Sequence, residues 1–144
     1  MLKITSALFF ITTLFTATVH AMGQEHQWGN WFGTVNAMEF ELYTDNSAGE
    51  HMTLTCRDSH LVVSYRGPDK EPRDIPDEGQ EAMGININAV HYPLGEAAFM
   101  ALKNTDNHGQ IEITQLNKLE SHPFNTAGLK DALGDLNWED CISH

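Results

Sequence analysis

The 144-residue sequence has few cations, only two cysteines and none of the common catalytic motifs. Its 8 lysines and arginines stand against 20 aspartates and glutamates, which gives a net charge of −12 at pH 7. A field of this sign repels nucleic acid and anionic lipid headgroups, and it attracts basic proteins from a distance. We therefore exclude nucleic-acid binding and expect a macromolecular partner to be basic.

Motifs for nucleophiles, zinc and phosphate are missing as well. The sequence contains no GxSxG, no HExxH and no glycine-rich phosphate loop. His51 and His60 flank one predicted strand, so an enzyme with a histidine metal site remains a third hypothesis. No cofactor and no metal ligand is assigned. An exported domain without a catalytic constellation is most simply a binding protein, not an enzyme.

Long apolar runs are absent except at the N-terminus. Lys3 precedes an apolar stretch over residues 4–19, and Val19-His20-Ala21 suits the positions that signal peptidase reads. This pattern predicts a signal peptide over residues 1–21 and a single periplasmic, β-rich domain over residues 22–144. No later segment reaches the ~20 apolar residues that a membrane helix needs, so we expect no membrane insertion.

The two cysteines, Cys56 and Cys141, are far apart in the chain. Export would put both thiols in an oxidising compartment, where a lone pair of cysteines is expected to form a disulfide. Such a bridge would tie an early strand to the C-terminus. The chain-entropy model values a loop of this size at about 4–5 kcal/mol.

Alternation of apolar and polar residues marks several half-buried strands. The predicted strands cover residues 37–43, 52–56, 61–66, 84–92, 97–103 and 110–116. Short turns join them, including a hairpin loop at 104–109, and sequential strands with short turns indicate an antiparallel meander.

The period changes near the C-terminus. Four apolar residues there share one helical face: Leu129, Ala132, Leu133 and Leu136. Asn125 is the predicted N-cap of this helix. The expected fold is therefore mainly β, a small antiparallel sandwich or meander with one C-terminal helix and one disulfide.

The segment GPDKEPRDIPDEGQE, residues 67–81, is the most unusual in the chain because it is rich in both acids and prolines. It is either a solvated connection or a loop that docks into a partner. Prolines would reduce the entropy lost on docking, and carboxylates would steer the loop toward a basic groove. We expect Asp74, Asp77 and Glu78 to meet lysines or arginines of the partner. The steering carboxylates would be Asp69, Glu71 and Glu81.

Two other uses of these carboxylates are less favoured. Calcium would be coordinated by hard oxygens, but the acids do not follow the spacing of an EF-hand loop. A glycosidase pair would need an apolar cleft to raise one carboxyl pKa, and this segment is polar throughout.

Parts of the chain resemble periplasmic proteins of type VI secretion. Leu54-Thr55-Cys56 followed by Leu61-Val62-Val63-Ser64-Tyr65 is similar to the strand, cysteine, turn and strand of TagO/VasI-type accessory proteins. The ending Phe124 … Gly128-Leu129-Lys130-Asp131-Ala132-Leu133 … Cys141 is similar to theirs too. These motifs are mostly structural.

The accessory family usually has a longer N-terminal part with further cysteines. A short exported domain is more similar to the immunity proteins that protect a cell from its own type VI cell-wall effectors, notably the lysozyme-like spike effector. This resemblance implies a periplasmic inhibitor that occludes a basic peptidoglycan hydrolase of the muramidase type. The alternative function is an accessory protein of a secretion apparatus. The sequence does not decide whether the protein forms a homodimer.

Overall fold

The computed structural model describes residues 25–36, 39–57, 59–68, 73–75, 83–115 and 118–142. For residues 73–75 and 83 it describes the backbone only. The predicted signal peptide lies outside the described residues. What is described is mainly β, with two antiparallel sheets, and this confirms the expected fold class.

The first sheet is a six-stranded meander in which each strand pairs antiparallel with the next. Its strands are β1 (His26–Trp28), β2 (Trp31–Val35), β3 (Phe40–Asp45), β4 (His51–Arg57), β5 (His60–Arg66) and β6 (Arg73–Ile75). Alternate residues of β3, β4 and β5 are buried on one face, which is the pattern that the sequence predicts. Strands β1 and β2 were not predicted, and they place Trp31 fully in the core.

The second sheet has the strand order β10-β9-β7-β8, and β11 also pairs with β9. Its strands are β7 (Met83–Ile87), β8 (Val90–Tyr92), β9 (Gln110–Gln115), β10 (Lys118–Leu119) and β11 (Phe124–Asn125). The prediction of one strand over residues 84–92 is wrong. Asn88 and Ala89 have φ values of 50° and 66° and form a two-residue turn, so Ile87 pairs with Val90.

Residues 97–103 were predicted to be a strand, and this prediction is wrong. They lie in helix α1 (Glu96–Asn104), which buries Ala98, Phe99 and Leu102. Alanine-rich sequence favours a helix, and a short apolar run fits a buried helix as well as a strand. Residues 105–109 therefore connect this helix to β9, and the predicted hairpin loop at 104–109 is wrong.

The predicted C-terminal helix is divided in two, α2 (Leu129–Leu133) and α3 (Trp138–Ile142). Gly128 is the N-cap of α2, and Asn125 lies in β11, so the predicted N-cap is wrong. The Asn125 side chain instead accepts a hydrogen bond from the Ala127 N–H at 2.6 Å, which shapes the turn before the helix.

One hydrophobic core joins the two sheets and the helices. The disulfide between Cys56 of β4 and Cys141 of α3 is present, as predicted, with an S–S distance of 2.03 Å. It closes across a sequence separation of 85 residues and fixes the last helix to the first sheet. Within the described ranges, no helix combines the length and apolar composition that a membrane crossing requires.

Gly128 is needed where the β1–β2 turn meets the start of α2. Its φ is 92°, and a Cβ there would lie 1.9 Å from the Trp28 carbonyl oxygen. Gly128→Ala is therefore expected to lower the free energy of unfolding by about 2 kcal/mol, because backbone atoms must move apart.

The matched control is Gly134→Ala. Gly134 has helical φ and ψ, and a Cβ would approach the Lys130 carbonyl oxygen only to 3.3 Å. Urea unfolding of both variants checks this expectation. Equal midpoints for the two variants would show that the turn shifts at no cost.

Candidate functional site

The outer face of the first sheet is polar because its strands bury only their other face. The pairing places Phe32, Tyr43, Thr53 and Ser64 in one row across β2 to β5, and Asp74 of β6 is the register partner of Ser64. Neighbouring cross-strand rows of residues alternate between the outer and the buried face of the sheet. The sheet therefore presents side chains from β2 to β5 on a single surface.

A concave site of about 300 Å³ lies on this face. It follows β4 and takes side chains from β3 and β5 on either side. The lining residues are Glu41, His51, Thr53, Thr55, Arg57, Ser64, Tyr65 and Arg66. We call this surface the β4 groove. Its lining combines two guanidinium groups with hydroxyls, a carboxylate and an imidazole.

His51 is held in a defined orientation in the β4 groove. Its Nδ1 lies 2.7 Å from Asp45 Oδ1, and its Nε2 lies 3.4 Å from Thr53 Oγ1. The ring centroids of Tyr43 and His51 are 5.8 Å apart. A carboxylate on one ring nitrogen directs the other nitrogen, so Nε2 is presented along the groove.

A second polar cluster lies inside the molecule, around Glu50. The Tyr65 hydroxyl donates to Oε1 at 2.9 Å, and the His122 backbone N–H donates to Oε2 at 2.8 Å. The Asn46 amide donates to Oε2 at 2.6 Å. Burial raises the pKa of Glu50, but these hydrogen bonds and the His122 side chain outweigh burial and hold the pKa below its ordinary value.

The Glu50 carboxylate joins distant parts of the chain and does not line the groove. Glu50 is 5% exposed and precedes β4, whereas His122 lies between β10 and β11. The Tyr65 hydroxyl also lies 3.2 Å from the Glu120 carbonyl oxygen. A buried carboxylate with all of these donors is built for stability, and it is not open to a substrate.

Most of the predicted contact residues lie outside the described part of the chain. These are Asp69, Glu71, Asp77, Glu78 and Glu81. Asp74 is the exception, since its backbone belongs to β6 and pairs with Ser64. The backbone of one predicted contact residue thus lies in β6, the last strand in the order of the described first sheet.

His51 and His60 do not converge. His51 pairs with Arg66 at one end of the β4–β5 hairpin, and His60 pairs with Arg57 at the other. These positions are about 20 Å apart along the strands. Among the described residues, no group of three or more histidine, cysteine, aspartate or glutamate side chains is arranged to hold a metal ion.

The sequence pattern does not indicate the β4 groove as a site. The alternation of Thr53 and Thr55 on the outer side of β4 was visible, and it also puts His51 and Arg57 on that side. The contribution of Arg66 depends on the register between β4 and β5, which the sequence pattern did not give.

Comparison with known proteins identifies no relative of this chain. No protein-family model matches the chain, and neither the curated proteins nor the solved structures contain a match. The functional argument therefore depends on the residues and geometry described above.

Proposed function

We propose that the protein is a periplasmic immunity protein that binds and occludes a basic, peptidoglycan-degrading effector of the muramidase type. The observation that carries this proposal is the attachment of the acidic segment to the sheet. The segment leaves β5 after Arg66, contributes β6 with Asp74, and rejoins the described chain at β7. A sheet edge is a rigid base from which an acidic loop can enter a cleft.

The charge of the chain supports the same partner. The net charge of −12 favours encounter with a basic protein and disfavours nucleic acid and anionic lipid. The disulfide suits an oxidising compartment outside the cytoplasm. Occlusion by contact also needs no catalytic residue from the inhibitor, so the protein would act without enzymatic activity and without a cofactor.

The first experiment is capture of partners on the chain from residue 22, from periplasmic extract of an effector-producing strain. The expected result is a peptidoglycan hydrolase recovered near one to one and inactive on peptidoglycan while bound. Recovery of secretion-apparatus components without a hydrolase would favour the accessory alternative instead. An accessory protein would also be required for secretion itself, whereas an immunity protein would be required only when the effector is present.

The acidic segment is tested by reversing Asp74, Asp77 and Glu78 to lysine. We expect the association rate with the captured hydrolase to fall at least tenfold at low salt and to lose its salt dependence, because steering is electrostatic. Stopped-flow binding at several salt concentrations measures this rate.

The matched control reverses three exposed acids on the helical side, Glu96, Asp131 and Asp135. It makes the same change in net charge at another place. A rate that falls equally in both variants would mean that overall charge, not the acidic segment, steers the encounter. Unchanged binding by the first variant would remove the segment from the interface.

A further inference from the structure

The β4 groove contains two cations, which are scarce in this acidic chain, beside the carboxylate of Glu41 and the Asp45 carboxylate that holds His51. Both arginines whose side chains are described, Arg57 and Arg66, line it. They flank the groove near its two ends, because Arg66 pairs with His51 and Arg57 with His60. Guanidinium groups recognise carboxylates through paired, charge-assisted hydrogen bonds. The groove is thus suited to a ligand with anionic groups separated along its length.

The floor between the arginines is rich in hydroxyl groups. Thr53, Thr55 and Ser64 contribute them, and the oriented His51 adds a ring nitrogen. Glu41 on the β3 side supplies an acceptor. A ligand that meets this lining must both donate and accept many hydrogen bonds, which is the property of a polyhydroxylated molecule and not of an apolar one.

An aromatic wall extends from the groove toward β2. The Phe32 and Tyr43 rings are stacked, with centroids 5.8 Å apart and planes inclined by 17°. Tyr43 is in turn 5.8 Å from the His51 ring. Phe32 is 37% exposed, although it is a large apolar side chain. The exposed Phe32 ring, beside the half-buried Tyr43 and polar groups, offers an apolar surface for the C–H face of a sugar ring.

We propose that the β4 groove, bounded by Arg57, Arg66 and the Phe32–Tyr43 wall, binds an oligosaccharide that carries carboxylate groups. The arginines hold the carboxylates, the hydroxyl-lined floor and Glu41 hold the sugar hydroxyls, and the aromatic wall packs against a sugar ring. The volume of about 300 Å³ is that of a small ligand site and accommodates one or two sugar rings, with the chain continuing along β4.

The net charge of the protein does not oppose this site at physiological ionic strength. The Debye length is then about 8 Å, so distant acids are screened, whereas Glu41 in the groove and Asp45 on His51 offset part of the arginine charge. The site is independent of the proposed inhibitor function, because it uses the outer face of β3 to β5 and none of the six predicted contact carboxylates.

The test uses the chain from residue 22 and defined oligogalacturonates of four sugars in 0.15 M salt. We expect saturable binding with a Kd below about 1 mM, read by calorimetry. In two-dimensional NMR the largest shifts should fall on backbone amides of Thr53, Thr55 and Tyr43. The fully methyl-esterified oligosaccharide of the same length should bind at least tenfold more weakly, because esterification removes only the charge.

Two double variants give the matched comparison. Arg57→Gln with Arg66→Gln removes both groove cations, and Lys118→Gln with Lys130→Gln makes the same charge change at exposed positions elsewhere. We expect the first pair to weaken binding at least tenfold and the second to leave it within twofold. Phe32→Ala should weaken binding of the oligosaccharide severalfold.

Several results would overturn the proposal. Absence of saturable binding by the native chain, equal affinity for the esterified sugar, or shifts confined to another surface would each do so. Tighter binding of tetraglutamate than of the oligogalacturonate, unaffected by Phe32→Ala, would make the groove a peptide site instead. The NMR map is recorded on the native chain. It would therefore still decide the question if the Arg57→Gln, Arg66→Gln double variant failed to fold.

Discussion

Replacing Cys56 and Cys141 together with alanine is expected to lower the free energy of unfolding by about 4–5 kcal/mol. The bridge spans a sequence separation of 85 residues, so its removal gives the unfolded chain a large number of additional conformations. The bridge joins β4, an inner strand of the first sheet, to α3, the last helix of the described chain. The thermal midpoint should fall by roughly 15 °C for a chain of this length.

Urea unfolding of the native and double-alanine chains, each with and without reductant, checks this expectation. Reductant should bring the native chain down to the stability of the variant and should leave the variant unchanged. Cys141 is buried and Cys56 is half-buried, so alanine removes little packing beyond the bridge itself. A loss below about 1 kcal/mol would mean that the unfolded chain is already held compact.

The first sheet could be predicted where one face of a strand is buried and the other is solvated. Leu42 and Phe40 in β3 and Met52 and Leu54 in β4 alternate with polar residues, and the meander follows from the short turns between them. The same signal fails when both sides of a segment are apolar. Residues 97–103 are such a segment, and their alanine content together with packing against the core favours a helix.

Turn chemistry accounts for the difference between the single strand predicted over residues 84–92 and the observed β7–β8 hairpin. The alternation of Ile85, Asn86 and Ile87 continues to Ala89, so a strand pattern runs through the position where the chain reverses. Asn88 signals such a turn, but Ala89 with φ of 66° does not, because alanine rarely adopts that conformation. The strain is offset by the pairing of β7 with β8 and β9.

The candidate site was less predictable than the fold because it depends on register. Apart from the buried Tyr65, each residue of the β4 groove is an ordinary polar residue on the exposed side of a strand. Arg66 becomes part of the site through its pairing with His51, and Glu41 through its pairing with Thr55. Likewise, Glu50 and His122 are 72 residues apart, and no local pattern connects them.

Replacing Glu50 with alanine is expected to lower the free energy of unfolding by about 3 kcal/mol at pH 7. The carboxylate accepts hydrogen bonds from Tyr65, Asn46 and the His122 backbone. Alanine removes this buried acceptor and leaves Tyr65 and Asn46 with their longer contacts to the Glu120 and His122 carbonyl oxygens. Leaving buried donors unpaired costs about 1–3 kcal/mol each, and relaxation with water recovers part of the sum. Urea unfolding at pH 7 measures the loss.

Glu50→Gln isolates the charge of the carboxylate and predicts a distinct dependence on pH. The pKa of Glu50 is lowered in the folded protein from its ordinary value of 4.5. Its stabilisation is therefore complete above the unfolded-state pKa and is lost as the pH falls through the lower, folded-state pKa. The difference in stability between the native chain and Glu50→Gln should be constant from pH 7 to about 5.5 and should shrink below about pH 4.5.

Asp135→Asn is the matched control, since it also neutralises one carboxylate but at an exposed position. Other carboxylates titrate in the same range, so the comparison uses differences between chains at each pH rather than the acid unfolding of one chain. A difference between the native chain and Glu50→Gln that stays constant down to pH 3 would contradict the lowered pKa. The loss in Glu50→Ala would then reflect the shape and packing of the side chain, because ionisation would contribute nothing to the contact between β4 and the segment before β11.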